Sequence, residues 1–361
     1  MLEELGGDLG AVVSLDTQGA TRWRGGVRAV SLLSHRRLTR YSSYFLGRLG
    51  LAYLSSERVI LLREIQRPGI THVLCHYGEF AARFMDVWRK ANIPLFVHFH
   101  GYDATFDIRL DEQPARRYFP DAYLTNVHEL ATRAVLVANS EFTKSLLTDS
   151  GIPANRVPVK YLGVPLPPVG KIHKDHEEIH VLQLGRLVDF KSPDRTISAF
   201  EIACTRGLKG QLTIAGDGPL RVTCELLRAR SPYKDRIRIL GAVAAEQAQR
   251  LLADADIYTQ HNIKGEISRQ SECYGVSVVE AMAAGLPVVG TRSGGVLETV
   301  VAGETGYLVS PGDVEAQADA IVELARHPYL RQRLGDAGRA RVSEHFTMGK
   351  EAIQLRAIMG L

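Results

Sequence analysis

The chain has 361 residues, 45% of them hydrophobic and 23% charged, with a formal net charge of +4. That length exceeds one typical core and predicts two domains, and the composition is that of a globular protein rather than a disordered one. So small a positive surplus excludes nucleic acid as the expected partner, and no apolar run approaches the roughly 20 residues that a bilayer span needs.

The first eight residues carry three acids and no apolar stretch, so no secretory leader is expected. The four cysteines, Cys75, Cys204, Cys224 and Cys273, form no C-x-x-C pair. That spacing argues for reduced thiols in a cytoplasmic setting and against a structural zinc site. Residues 1–165 hold 20 Lys and Arg against 16 Asp and Glu, and the remainder holds 24 against 24. The whole surplus therefore lies in the N-terminal half, where it suits contact with an anionic membrane surface.

In chain order, short apolar runs predict strands at Ala11–Leu15, His72–Cys75, Leu95–His98, Ala134–Ala138 and Val157–Leu162 in the first half. Ser34–Arg63 combines Arg36, Arg37, Arg40 and Arg48 with Tyr41, Tyr44, Phe45 and several leucines. A basic amphipathic helix there would lie on a membrane surface. Phe96-Val97-His98-Phe99-His100-Gly101-Tyr102-Asp103 follows a strand, and Ser140 is placed to cap the helix after it. The Pro- and Gly-rich run 163–170 and the polar run 171–178 read as a linker. His173, His176 and His180 fit a solvated linker entering a strand better than a metal site.

Beyond the linker, strands are predicted at His180–Leu184, Gln211–Ala215, Arg236–Leu240, Ile257–Gln260, Pro287–Gly290 and Gly306–Val309. Near-continuous apolar strands alternating with helices predict an α/β fold with parallel sheets covered on both faces. Ligands in such sheets bind beyond the carboxyl ends of the strands. Gly185-Arg186-Leu187-Val188-Asp189-Phe190-Lys191-Ser192 sits in such a loop. The Arg186 fork and the compact Lys191 charge can converge there on a diphosphate. Gly216-Asp217-Gly218-Pro219 allows a tight turn and close backbone approach.

The most informative segment is Ser271-Glu272-Cys273-Tyr274-Gly275-Val276-Ser277-Val278-Val279-Glu280-Ala281-Met282-Ala283-Ala284-Gly285. One carboxylate precedes a turn glycine and the other lies in the helix that follows. Free amides at a helix start favour phosphate, and carboxylates accept hydrogen bonds from a polyol. Asp254-Ala255-Asp256, by contrast, reads as a helix-to-strand turn rather than a metal motif.

These motifs resemble the retaining GT-B glycosyltransferases, specifically glycosyltransferase family four, with its E-x7-E element at Glu272 and Glu280 and its Gly-Arg-Leu-x-x-x-Lys run at 185–191. The resemblance covers roughly residues 70–345. It implies two Rossmann-like domains facing across a cleft, over 1–165 and 166–345, with a closing helix over 346–361 that crosses back to the first. It further implies sugar transfer from a nucleotide-diphosphate sugar to a glycan or lipid-linked acceptor, in polysaccharide or glycolipid synthesis, with retention at the anomeric carbon.

By the same resemblance Glu272 binds donor-sugar hydroxyls and Glu280 the ribose. Amides around Tyr274, Gly275, Val276 and Ser277 hold the phosphates, with Gly185 and Gly216 closing on the donor. Arg186 and Lys191 neutralise the departing diphosphate, and His100 faces the sugar across the cleft. No metal and no cofactor beyond the donor are implied. Two departures stand out: Ser192 replaces the usual glycine, and the first β–α unit with its glycine-rich loop is expected to be shortened or absent. The short start keeps a second reading open, a non-catalytic or partner-dependent nucleotide-sugar-binding protein.

Overall fold

The computed structural model describes residues 11–14, 28–31, 56–105, 122–168 and 178–361. Most of the basic stretch 34–63, and His173 and His176, lie outside them. Among the described residues the strands form three parallel sheets. The first pairs β1 (Ala11–Ser14) with β2 (Arg28–Ser31), Ala11 opposite Arg28. β2 was not predicted: four residues with Arg at one end and Ser at the other give no apolar run.

After helix α1 (Ser56–Ile65), the second sheet runs β3 (Val73–His76), β4 (Leu95–Phe99), β5 (Ala134–Ala138), in that order. All five residues of β4 are buried, as befits the central strand. Helices α2 (Gly78–Arg83) and α3 (Tyr102–Thr105) leave the carboxyl ends of β3 and β4. Helix α4 (Tyr123–Arg133) leads into β5, and α5 (Glu141–Asp149) follows it. The Ser140 side chain accepts the Thr143 amide and so caps α5. The predicted strand Val157–Leu162 is instead a single bridge, Ala138 opposite Val159. Pro158 supplies no N–H, and the chain then turns away to cross between the domains.

The third sheet has six strands: β6 (Ile179–Leu184), β7 (Gly210–Ala215), β8 (Ile237–Ile239), β9 (Ile257–Thr259), β10 (Val288–Thr291) and β11 (Gly306–Val309). Their spatial order, β8-β7-β6-β9-β10-β11, is that of a doubly wound nucleotide-binding sheet. It reverses direction between β6 and β9, so the loops after these two strands flank the switch point. Helix α6 (Val276–Ala284) lies between β9 and β10 and ends at Gly285, whose φ of 84° closes it in the left-handed conformation.

The last helix, α7 (Met348–Met359), returns to the first domain: Leu355 and Met359 pack on Phe96 and Val137. Beside it the buried Lys160 ammonium pairs with the buried Glu351 carboxylate. The two crossing segments touch, Val164 donating its amide to Phe346 at 2.9 Å.

Candidate functional site

Between the two domains lies a cleft of about 590 Å³. His100 and Tyr102 line it from the first domain. Gly185, Arg186, Lys191, Gly216, Glu272, Val276, Ser277 and Glu280 line it from the second. Its second-domain wall is built by the loops after β6, β7 and β9, which converge because all three strands end on the same edge of a parallel sheet.

Close backbone approach fixes these loops against one another. A Cβ on Gly216 would fall 1.8 Å from the Gly185 carbonyl oxygen, and one on Gly294 would fall 2.0 Å from that of Glu272. No side chain fits at either place. Asp189 joins the loop after β6 to that after β9: its carboxylate accepts the amides of Ile267 (3.0 Å) and Ser268 (2.8 Å) and the Ser268 hydroxyl (2.7 Å). Sequence reasoning missed this role, although Asp189 lies inside the motif it singled out. Ser192, where the family has glycine, stands at φ 38°, a conformation that glycine adopts without strain.

The electrostatics centre on one ion pair. The Lys191 ammonium lies 2.7 Å from the Glu272 carboxylate, and both side chains are only 12% exposed. Burial works against the charge on Glu272. Lys191 and the amides of Tyr274 and Gly275 outweigh it and hold the carboxyl below its ordinary range. Glu280 is shifted the other way, because burial raises it and Lys191 opposes only in part. The exposed Arg186 guanidinium lies 5.7 Å from the centre of the Phe190 ring.

Two of the expected donor contacts do not line the cleft. Tyr274 is 2% exposed; its ring stacks on Tyr161 and its hydroxyl donates to the Leu162 carbonyl at 2.6 Å. The Gly275 amide donates to Glu272 at 3.0 Å. The loop's first amides are thus turned onto its own carboxylate, and Val276 and Ser277, which open α6, remain at the cleft.

The side chains that the first-domain wall turns to the cleft, His100 and Tyr102, are uncharged. The buried Asp103 carboxylate accepts the amides of Gly78 (2.8 Å), His100 (2.9 Å) and Gly101 (2.8 Å), and so clamps the loops after β3 and β4 together. Tyr77 beside them sits at φ 71°, its ring 4.4 Å from that of His100. His100 does not stand alone: its Nε2 is 2.8 Å from Nδ1 of His76. Burial depresses His100 to about 3, with the charges of His76 and Lys160 adding to the effect, and His76 to about 4, with the charge of Lys160 adding. Burial holds His98 well down too. Asp256 of the Asp-x-Asp segment accepts the His180 amide at 2.9 Å and is 1% exposed, which is a structural latch.

Glu298 joins the two walls. From the second domain its carboxylate accepts the amides of Glu141 (2.8 Å) and Phe142 (2.7 Å), the first two of α5 in the first domain. With Ser140 on the third, the amides of the first three residues of α5 are satisfied.

Two Rossmann-like parallel sheets facing across a cleft, with the final helix returned to the first domain, are the GT-B glycosyltransferase fold. The model of the Glycosyltransferase Family 4 matches residues 18–166, and that of the Glycosyl transferases group 1 matches residues 169–341. The chain belongs to the glycosyltransferases that these two models describe.

An N-acetyl-alpha-D-glucosaminyl L-malate synthase of Bacillus anthracis is 32% identical over 50% of this chain and 44% of its own length. The amylovoran biosynthesis glycosyltransferase AmsK of Erwinia amylovora is 26% identical over 88% of this chain and 77% of its own. The first of these is thus matched over less than half its length. The Anabaena protein HepE, solved with UDP and glucose, superposes with a TM-score of 0.70 at 19% identity, over 87% of this chain and 82% of that one.

Proposed function

We propose that the chain transfers a sugar from a nucleotide-diphosphate sugar to a glycan or lipid-linked acceptor in polysaccharide or glycolipid synthesis. The observation that carries this reading is the Lys191–Glu272 ion pair, set beside Arg186 and the start of α6 in one cleft opposite His100. The ammonium and guanidinium stand where a departing diphosphate develops charge, which is electrostatic catalysis by preorganised groups. They do for the leaving group what a bound metal does elsewhere, so the donor site is read as metal-independent. Val276 and Ser277 offer amides to a phosphate, Glu280 accepts from ribose hydroxyls, and Glu272 and His100 face the sugar. Retention follows a front-face course in which the leaving phosphate takes the acceptor proton. A relative named for amylovoran biosynthesis and a structural neighbour solved with UDP support the substrate classes.

A basic hollow of about 480 Å³ on the first domain, lined by Arg58, Arg63, Arg67 and Lys90, supports peripheral contact with the anionic inner face of a membrane. Among the described residues no helix is long and apolar enough to cross a membrane. The setting is read as cytoplasmic.

A thermal-shift screen with nucleotide diphosphates and their sugars tests the donor site. One nucleotide class is expected to raise the melting temperature of the wild type, and Arg186→Ala and Glu280→Ala to lose most of that rise. A rise that persists unchanged in both variants would sink the assignment.

A further inference from the structure

Three histidines meet at the carboxyl edge of the first sheet. His76 ends β3 and lies in register with His98 of β4. His100 comes two residues after His98, one past the end of β4, and the two rings lie side by side. The ring centres are 5.5 Å apart for His76 and His98, 5.0 Å for His76 and His100, and 4.2 Å for His98 and His100. Each ring offers a nitrogen, and these nitrogens all lie within 4.8 Å of one another.

Hydrogen bonding within the protein does not account for the cluster. His98 is 1% exposed, and its Nε2 has no hydrogen-bond partner. A buried polar atom left so is uncommon and calls for an explanation. We propose that His76, His98 and His100 form a site for one divalent transition-metal ion of the Zn²⁺ class.

Three imidazoles suit a borderline ion rather than Mg²⁺ or Ca²⁺, which take oxygen ligands. Tetrahedral Zn–N bonds of about 2.0–2.1 Å set ligand nitrogens about 3.3 Å apart. That spacing lies between the 2.8 Å of the His76–His100 contact and the 4.8 Å limit of the cluster, so small ring rotations reach it. The nearby Lys160 ammonium is matched by Glu351, so the ion meets no unbalanced cation. Three protein ligands leave a fourth position for water or an anion. Occupancy replaces the His76–His100 hydrogen bond and adds positive charge where three uncharged rings now stand.

The test is a Co²⁺ titration of the full metal-free chain, followed by visible absorption and equilibrium dialysis. The wild type is expected to bind one ion per chain with the intense bands of four-coordinate cobalt, displaced by Zn²⁺. His98→Gln and His76→Gln each lose the bands and weaken binding by more than the ~10- to 100-fold that loss of an outer-shell partner costs. His76 is only partly buried, so its variant decides the matter if His98→Gln does not fold. A His173→Gln/His176→Gln double variant keeps the bands. No cobalt bands in the wild type at millimolar Co²⁺, or bands that survive His76→Gln, would overturn the proposal.

Discussion

The two walls of the cleft solve the same problem with opposite means. On the second-domain wall, charge is retained: Lys191 and Glu272 face each other at 2.7 Å, with Arg186 exposed beside them. On the first-domain wall, charge is suppressed: His76, His98 and His100 are packed so closely that burial keeps all three neutral. A charged wall suits a diphosphate leaving group, and a neutral one suits a sugar. The difference teaches that the chemistry of this cleft is divided by domain, and that each half is tuned by how its loops pack.

The sharpest way to break that contrast is to discharge the ionic wall. Lys191→Met leaves Glu272 largely buried without its cation. The expected cost is about 2–4 kcal/mol, somewhat below that of a fully buried pair because water reaches both groups. Glu272→Gln added to Lys191→Met is expected to recover most of it in urea unfolding. Acid dependence checks the same pair. The folded Glu272 carboxyl is held below the ordinary glutamate value of 4.5. The ionised pair therefore stabilises the fold fully above about pH 4.5, and this is lost as pH falls through the lower folded value. Lys191→Met should flatten that acid limb. Glu280, raised on folding, pulls in the opposite direction as pH rises. An acid limb unchanged by Lys191→Met would show that the pair does not set it.

The contact between the walls is the next target. Glu298 satisfies two amides of a helix in the other domain. Glu298→Ala is expected to lower stability by about 1–2 kcal/mol, the range of a lost helix cap. It should also blunt the melting-temperature rise given by nucleotide, because the walls are less firmly joined. Ser140→Ala removes the cap that α5 makes for itself and should lower stability without blunting that rise. Equal effects of the two variants on nucleotide stabilisation would deny Glu298 its role between domains.

How far the site was legible follows the same division. The second-domain wall is written in local motifs: Arg186 and Lys191 share one loop, and Glu272 and Glu280 flank one helix start. Their convergence follows from strand order alone. What was not legible depends on register and on contacts distant in sequence. Tyr274 reads as a site residue by its position, yet its ring fills the core under Leu162. Asp189 reads as filler between two cations, yet it pins a loop nearly eighty residues away. His76 and His98 become visible only when β3 and β4 are known to be neighbours. The pattern His98-x-His100, with a histidine closing the preceding strand, was the available signal. In the first domain β2 lacked an apolar run, and Val157–Leu162 looked like a strand until Pro158 and the crossing to the second domain intervened.

Ser192 separates motif from physics at the smallest scale. It stands at φ 38° and ψ 61°, a left-handed conformation that costs a non-glycine residue about 1–2 kcal/mol. Ser192→Gly removes that strain. It also removes a hydroxyl that donates to the Asp189 carbonyl at 2.7 Å, worth about 0.5–1.5 kcal/mol. Glycine further loosens the unfolded chain, which offsets about 0.4–1 kcal/mol more. The terms nearly cancel, so Ser192→Gly is expected to shift the urea midpoint by less than about 0.5 kcal/mol equivalent. Ser192→Ala keeps the strain and loses the bond, and should cost about 1 kcal/mol. If glycine instead stabilised the chain by more than the strain can supply, the loop holding Lys191 would be relaxing elsewhere, and the ionic wall would be less rigid than its close backbone contacts require.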